Sequence, residues 1–158
     1  MSGLRVILAS AAGALLYYVA VVYLGGILAA VAIPESYFAF FGREKGQLAL
    51  ALLNFASWAL PVLVAVFVVA FLTLRVLRGS PRSGAWALAL GMLAAFLYLH
   101  ASFASYMASQ SNGALSFGQA FTSTLVPAWW SAPNVLAPWF GLSLAAWLSI
   151  KRSRGARA

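Results

Sequence analysis

Four long stretches without a charged side chain constrain this chain more than any other feature. The first runs from Val6 to Ile33, and its 28 residues would extend about 40 Å as an α-helix. A bilayer's hydrocarbon core is only about 30 Å thick, so such a helix crosses it even when tilted. Three further stretches follow, at about 48–74, 85–107 and 131–150. The pattern predicts an all-α integral membrane protein with four transmembrane helices.

The composition supports this prediction, because only 8% of the residues are charged and 64% are hydrophobic. A soluble domain of this size would carry about a quarter charged residues, so most of this surface must meet lipid. We expect a single membrane domain over 1–158, with spans at about 6–33, 48–74, 85–107 and 131–150. The remaining parts are an outer interfacial segment at 109–130 and a basic tail at 151–158. The chain has no cysteine, which excludes disulfides and thiolate metal sites.

The basic residues predict the orientation of the spans. Two cations, Arg43 and Lys45, lie on one side of the predicted membrane, and eight lie on the other: Arg5, Arg75, Arg78, Arg82, Lys151, Arg152, Arg154 and Arg157. The positive-inside rule therefore places both termini in the cytoplasm. Because Arg outnumbers Lys and the loops are compact, a bacterial inner membrane is the expected location. This topology also accounts for the net charge of +8, so no nucleic-acid partner is expected.

Three polar residues fall at similar depths within the spans and form a candidate intramembrane polar cluster: Asn54, Ser57 and His100. Amide and imidazole groups need hydrogen-bond partners in lipid, and such contacts between helices are worth about 0.6–2 kcal/mol. The first interpretation is that these polar groups make contacts that hold the helices together. A proton relay or substrate coordination is the alternative, although no carboxylate lies within any span to exchange a proton.

The third span carries a stripe of small residues at helical spacing, Ala87, Gly91 and Ala95, which is a candidate helix-packing seam. Small residues let two membrane helices approach closely.

In the other spans, Pro61 is expected to bend the second helix and Tyr17 to face the bundle interior. Trp139 is expected at the outer membrane boundary.

The uncharged segment before the fourth span predicts a short amphipathic helix on the outer surface. Ser116 and Gln119 have the spacing of a capping box, and Pro127 would end the helix. Aromatic and aliphatic residues recur every four positions at Phe117, Phe121, Leu125 and Trp129. The opposite face is a candidate outer docking surface formed by Gln119, Thr122 and Ser123. The alternative is a connection that merely covers the bundle.

The residue inventory excludes several kinds of chemistry. A single histidine excludes haem held by two histidines, and two acidic residues exclude a carboxylate-bridged di-metal site. No phosphate-binding motif with a lysine occurs. We therefore predict no catalytic residue, no metal and no cofactor, and expect that the protein is not an enzyme.

The remaining function classes are association and transport. The first hypothesis is a non-catalytic polytopic inner-membrane protein that binds another protein in the bilayer or at its outer face. It would be an accessory subunit of a membrane complex or an immunity protein against a membrane-targeting toxin. The alternative is a small oligomeric channel or carrier for a neutral or lipid-like solute. The expected partners are the lipid bilayer and either a membrane protein or further copies of this chain.

Overall fold

The protein is a bundle of four membrane-spanning helices. The computed structural model describes residues 3–29, 35–42, 45–76, 80–126, 128–129 and 131–155. The long helices are α1 (Gly3–Leu28), α3 (Gly46–Val76), α4 (Pro81–Gln110) and α6 (Ala132–Gly155), and two short ones are α2 (Glu35–Phe41) and α5 (Phe117–Leu125). In these described ranges every regular element is helical. Each long helix is apolar and long enough to cross a membrane, which confirms the predicted fold class.

Most of the spans extend beyond the uncharged stretches that predicted them. α4 begins at Pro81, because proline is well suited to the first helical position, and Ser80 before it is extended. α3 and α6 continue through Arg75 and Arg152, since cations are favourable in a last helical turn and their long side chains reach the headgroups. Predictions for residues 30–33, Arg43, Arg78, Pro127 and 156–158 lie outside the described residues.

The closest helix pairs are not neighbours along the chain. α1 packs along α4, and α3 packs along α6, so each pair consists of two parallel helices. Gly13 lies against the carbonyl of Leu88, and Gly91 lies against the carbonyl of Ser10. A Cβ atom at either glycine would overlap the facing backbone, so α1 and α4 touch backbone to backbone.

The second pair is built in the same way. An added Cβ at Gly141 of α6 would lie 2.6 Å from the carbonyl oxygen of Leu63 in α3. Side chains between the two pairs form an apolar core, in which Val62, Val66 and Met92 have no solvent-accessible surface. Lipid contributes little hydrophobic driving force between helices, so this close packing is what holds the bundle together.

An aromatic cluster joins three of the spans inside the bundle. The ring centroids of Tyr17, Phe96 and Trp139 are 6.0–6.1 Å apart, and Tyr17 is only 3% exposed. Tyr17 therefore faces the interior as expected. The placement of Trp139 at the membrane boundary is wrong, because its ring fills the space between α1 and α4 and packs against the core.

Two π-helical turns interrupt α1 and α3, at Val19–Leu24 and Phe55–Ala59. The second ends just before Pro61, which has no N–H to donate and whose ring crowds the preceding turn. A wider turn relieves that crowding, and such turns are an established cause of helix bends. Next to it, the indole of Trp58 in the second π-helical turn lies directly on Gly25 of α1, the residue that follows the first π-helical turn.

Site-directed labelling tests the four-span arrangement. The chain has no cysteine, and Ser80 and Ala114 are exposed at opposite ends of α4. Ser80→Cys and Ala114→Cys, introduced singly, are expected to react with an impermeant maleimide from opposite sides of the membrane. Labelling of both positions from one side would contradict the arrangement.

Candidate functional site

The amide of Asn54 reaches across to another helix. Its Oδ1 accepts a hydrogen bond of 3.3 Å from Nδ2 of Asn134, which lies in the first turn of α6. Oδ1 of Asn134 is buried and has no hydrogen-bond partner. The pair therefore joins α3 to α6 and leaves one amide oxygen unsatisfied. Sequence reasoning missed Asn134 as the partner because it assigned the residue to the start of a span rather than to the polar cluster.

The other two residues of the predicted polar cluster have different surroundings. The hydroxyl of Ser57 donates to the carbonyl of Leu53 at 2.7 Å, within its own helix. The imidazole of His100 lies against Phe96, with 4.2 Å between ring centroids. In the described part of the chain, neither side chain is hydrogen-bonded to Asn54. Only Asn54 of the three makes a polar contact between helices.

The predicted packing seam lies in the interior of the bundle. Ala87 is 2% exposed, Gly91 touches the backbone of α1, and Ala95 is partly buried against the core. All three positions serve contact between helices, so none is available to a ligand.

α5 begins with a complete capping box. The N–H of Gln119 donates to Oγ of Ser116 at 3.3 Å, and the N–H of Ser116 donates to Oε1 of Gln119 at 3.0 Å. The helix packs on α4, and Ala120 is fully buried. A nine-residue helix is unstable alone in water, so the cap and the contact with α4 determine its position.

The predicted docking surface divides into two parts. Gln119 is committed to the cap, so its side chain has a structural role. The hydroxyls of Thr122 and Ser123 donate to carbonyls of their own helix, at 3.0 Å and 2.7 Å, and both residues are exposed. Each hydroxyl oxygen still has acceptor capacity. Beside them, the rings of Phe117 and Phe121 stack with centroids 5.8 Å apart, and Phe117 is half exposed.

An apolar cavity of about 350 Å³ opens between α3 and α6 at the same end of the bundle. Nε1 of Trp129 donates to Oε1 of Gln47 at 3.2 Å, which ties the segment after α5 to the start of α3. The cavity is lined by Phe55, Leu63, Trp129, Pro133, Leu136 and Phe140. It therefore has the size and the surface to accept a large apolar side chain or part of a lipid chain.

Comparison with known proteins adds no functional assignment. No protein-family model matches the chain, and neither the curated proteins nor the solved structures contain a match.

Proposed function

We propose that this chain is a non-catalytic protein of a bacterial inner membrane that acts by binding another membrane protein at the outer face. Arg5, Arg75, Arg82 and Arg152 lie at one end of the bundle, and the positive-inside rule assigns that end and both termini to the cytoplasm. The end that carries α5 is then the outer face. The partner is either a larger complex of which this chain is an accessory subunit or a membrane-targeting toxin that it blocks.

The observation that carries the proposal is the construction of α5. A connection that only covered the bundle would not need a capped helix fixed on α4. This helix presents one exposed aromatic ring, that of Phe117, and two exposed hydroxyls at fixed positions, with no charged residue between Ser111 and Ser131. Aromatic side chains that are fixed before binding lose little entropy in an interface, and depletion of charge is typical of interface centres.

The transport alternative receives less support from the packing. In the described residues no polar or charged residue is buried as a whole, and Gly13, Gly91 and Gly141 bring the backbones into contact. A pathway through one bundle would have to separate those contacts and then hydrate an apolar interior. A channel would therefore have to form between several copies of the chain rather than within one bundle.

A substitution on α5 tests the association. Thr122→Ala together with Ser123→Ala removes both exposed hydroxyls and leaves the capping residues intact. Because hydrogen bonds to the two hydroxyls are together worth about 1 kcal/mol, recovery of the protein that co-purifies with the wild type should fall about five-fold. Membrane abundance should stay unchanged. The measurement is quantitative mass spectrometry after purification in mild detergent.

Thr73→Ala combined with Ser83→Ala provides a matched control, because both hydroxyls also donate to carbonyls of their own segments. These residues lie towards the opposite end of the bundle. The control variant should recover the partner like the wild type. Equal recovery with both double variants would contradict a role for α5 in recognition. Solute flux in liposomes that contain this chain alone would favour the transport alternative.

A further inference from the structure

Two arginines converge on one aromatic ring where α3 and α6 end together. Cζ of Arg75 lies 4.8 Å from the centroid of the Phe71 ring, and Cζ of Arg152 lies 6.0 Å from the same centroid. Contact with the ring stabilises each cation but does not use the guanidinium hydrogen-bond donors. In the described part of the chain no hydrogen bond uses these donors, so two positive charges held close together favour an anion between them.

The sequence has no acidic residue after Glu44, so neither α3 nor α6 carries an acidic side chain that could supply that anion. Glu35 and Glu44 both precede α3, whereas Arg75 lies in its last turn. The 31 residues of α3 place its first residue, Gly46, about 45 Å of helix from its last turn. An anion at this place therefore has to come from outside the chain's side chains.

The two arginines line a pocket of about 250 Å³ together with Leu74, Ser149 and Ser153. Oγ of Ser149 is buried without a hydrogen-bond partner, whereas Ser57 and Thr73 donate to their own helices. The side chain of Ser149 thus borders the pocket with its hydroxyl buried, and the two guanidinium groups are the cations that line it. Arginine donors in this arrangement suit the oxygens of a phosphate group.

An apolar crevice of about 290 Å³ continues from this pocket into the span. It is lined by Phe67, Val68, Phe71, Leu72, Leu148 and Arg152, so Phe71 and Arg152 belong to both spaces. The rings of Phe67 and Phe71 stack with centroids 5.9 Å apart and form a flat apolar wall. Phe67 lies one turn, about 6 Å, deeper than Phe71 along the helix. A ligand with a phosphate at one end and a hydrocarbon chain at the other matches both spaces.

We infer that the pocket and the crevice form a binding site for an anionic phospholipid. Its phosphate lies between Arg75 and Arg152, and one acyl chain follows the wall formed by Phe67 and Phe71. A free phosphate compound shares the headgroup chemistry but leaves the crevice without an occupant. Basic pockets between helices at the cytoplasmic boundary are a recognised mode of lipid recognition. The site does not depend on the partner proposed above, because it lies at the opposite end of the bundle.

The first test compares lipid headgroups on the unmodified protein. The protein is purified in detergent and titrated with phosphatidylglycerol or phosphatidylcholine that carry the same acyl chains, and bound lipid is counted by native mass spectrometry. One phosphatidylglycerol should remain bound under conditions that remove phosphatidylcholine. Equal retention of the two lipids would overturn the inference. Displacement of phosphatidylglycerol by millimolar inorganic phosphate would also overturn it, since the site would then be one for a free anion.

The second test removes the charges in matched pairs. Arg75→Gln with Arg152→Gln should weaken phosphatidylglycerol binding at least about ten-fold, because two charge-assisted contacts are lost. Arg82→Gln with Lys151→Gln removes the same charge at the same end. Arg82 lines a separate groove with Trp86, and Lys151 lies over Trp147. The control pair should weaken binding less than about three-fold, since neither residue lines the pocket and each would act on the ligand only through a field that salt screens. Equal losses of binding in the two double variants would show that only the overall positive charge matters, and would overturn the site.

A third variant separates the crevice from the arginines. Val68 is 43% exposed and lines the crevice, so Val68→Trp fills the space for the acyl chain while both arginines are retained. It should lower retention of phosphatidylglycerol while thermal stability stays near that of the wild type. Retention at the wild-type level would show that no acyl chain occupies the crevice and would overturn the lipid assignment.

Discussion

Gly91→Ala is expected to destabilise the protein severely, although alanine is the smallest possible addition. The new methyl group would overlap the carbonyl of Ser10, and it would also lie within 2.9 Å of the backbone nitrogen of Ala14. Backbone atoms cannot rotate out of the way, so α1 and α4 would have to separate. Overpacking of this kind costs about 1–3 kcal/mol or more. The measurement is thermal unfolding in detergent, followed by the loss of the monodisperse peak in size-exclusion chromatography.

Gly26→Ala is the matched control, since Gly26 lies in α1, the other helix of the pair, and has nothing within 4 Å of its added methyl group. Alanine has the higher helix propensity, so this variant should be as stable as the wild type or slightly more stable. Similar melting temperatures for the two variants would contradict the contact between α1 and α4.

Gly141→Leu is expected to prevent stable assembly of the second helix pair. Even the first carbon would lie 2.6 Å from the carbonyl oxygen of Leu63 and 3.1 Å from the nitrogen of Phe67. Leucine adds three more carbons at this place, so α3 and α6 must separate along their common interface. The hydrogen bond between Asn54 and Asn134 spans the same interface and would be lost with it. We expect little monodisperse protein, measured as membrane abundance and as recovery in detergent.

Ser143→Leu makes a comparable change two residues along the same helix, where the side chain is exposed. That variant should accumulate like the wild type, because a leucine on this face meets lipid or an open groove. Normal folding of Gly141→Leu would mean that α6 does not pack on α3, and that neighbours along the chain form the closest pairs instead.

Features of the helices that depend on the local sequence alone could be predicted. Length and apolarity identify each span, and the spacing of Ser116 and Gln119 predicts the capping box that the structure contains. The ends of the spans were less predictable. A cation such as Arg75 can terminate an apolar stretch without ending the helix, because its side chain reaches the headgroups while its backbone remains helical.

The candidate sites were less predictable than the fold. Asn54 was identified as polar and intramembrane, but its partner Asn134 depends on which helix lies opposite. Trp139 is of the residue type typical of a membrane boundary but packs against the core, because Tyr17 of α1 and Phe96 of α4 lie opposite it. The convergence of Arg75 and Arg152 on Phe71 joins residues nearly eighty positions apart. No local pattern carries that information.

The sequence by itself determined that this chain crosses a membrane four times, because transfer of long apolar segments into lipid depends on composition and length alone. It also determined where α5 begins, since a cap is a local hydrogen-bond arrangement. Only the tertiary structure decided that α1 pairs with α4 and α3 with α6. In lipid the apolar surfaces of all the spans are nearly equivalent, so partner choice depends on where Gly13, Gly91 and Gly141 let backbones touch. That pairing creates both the cavity near α5 and the pocket at the basic end.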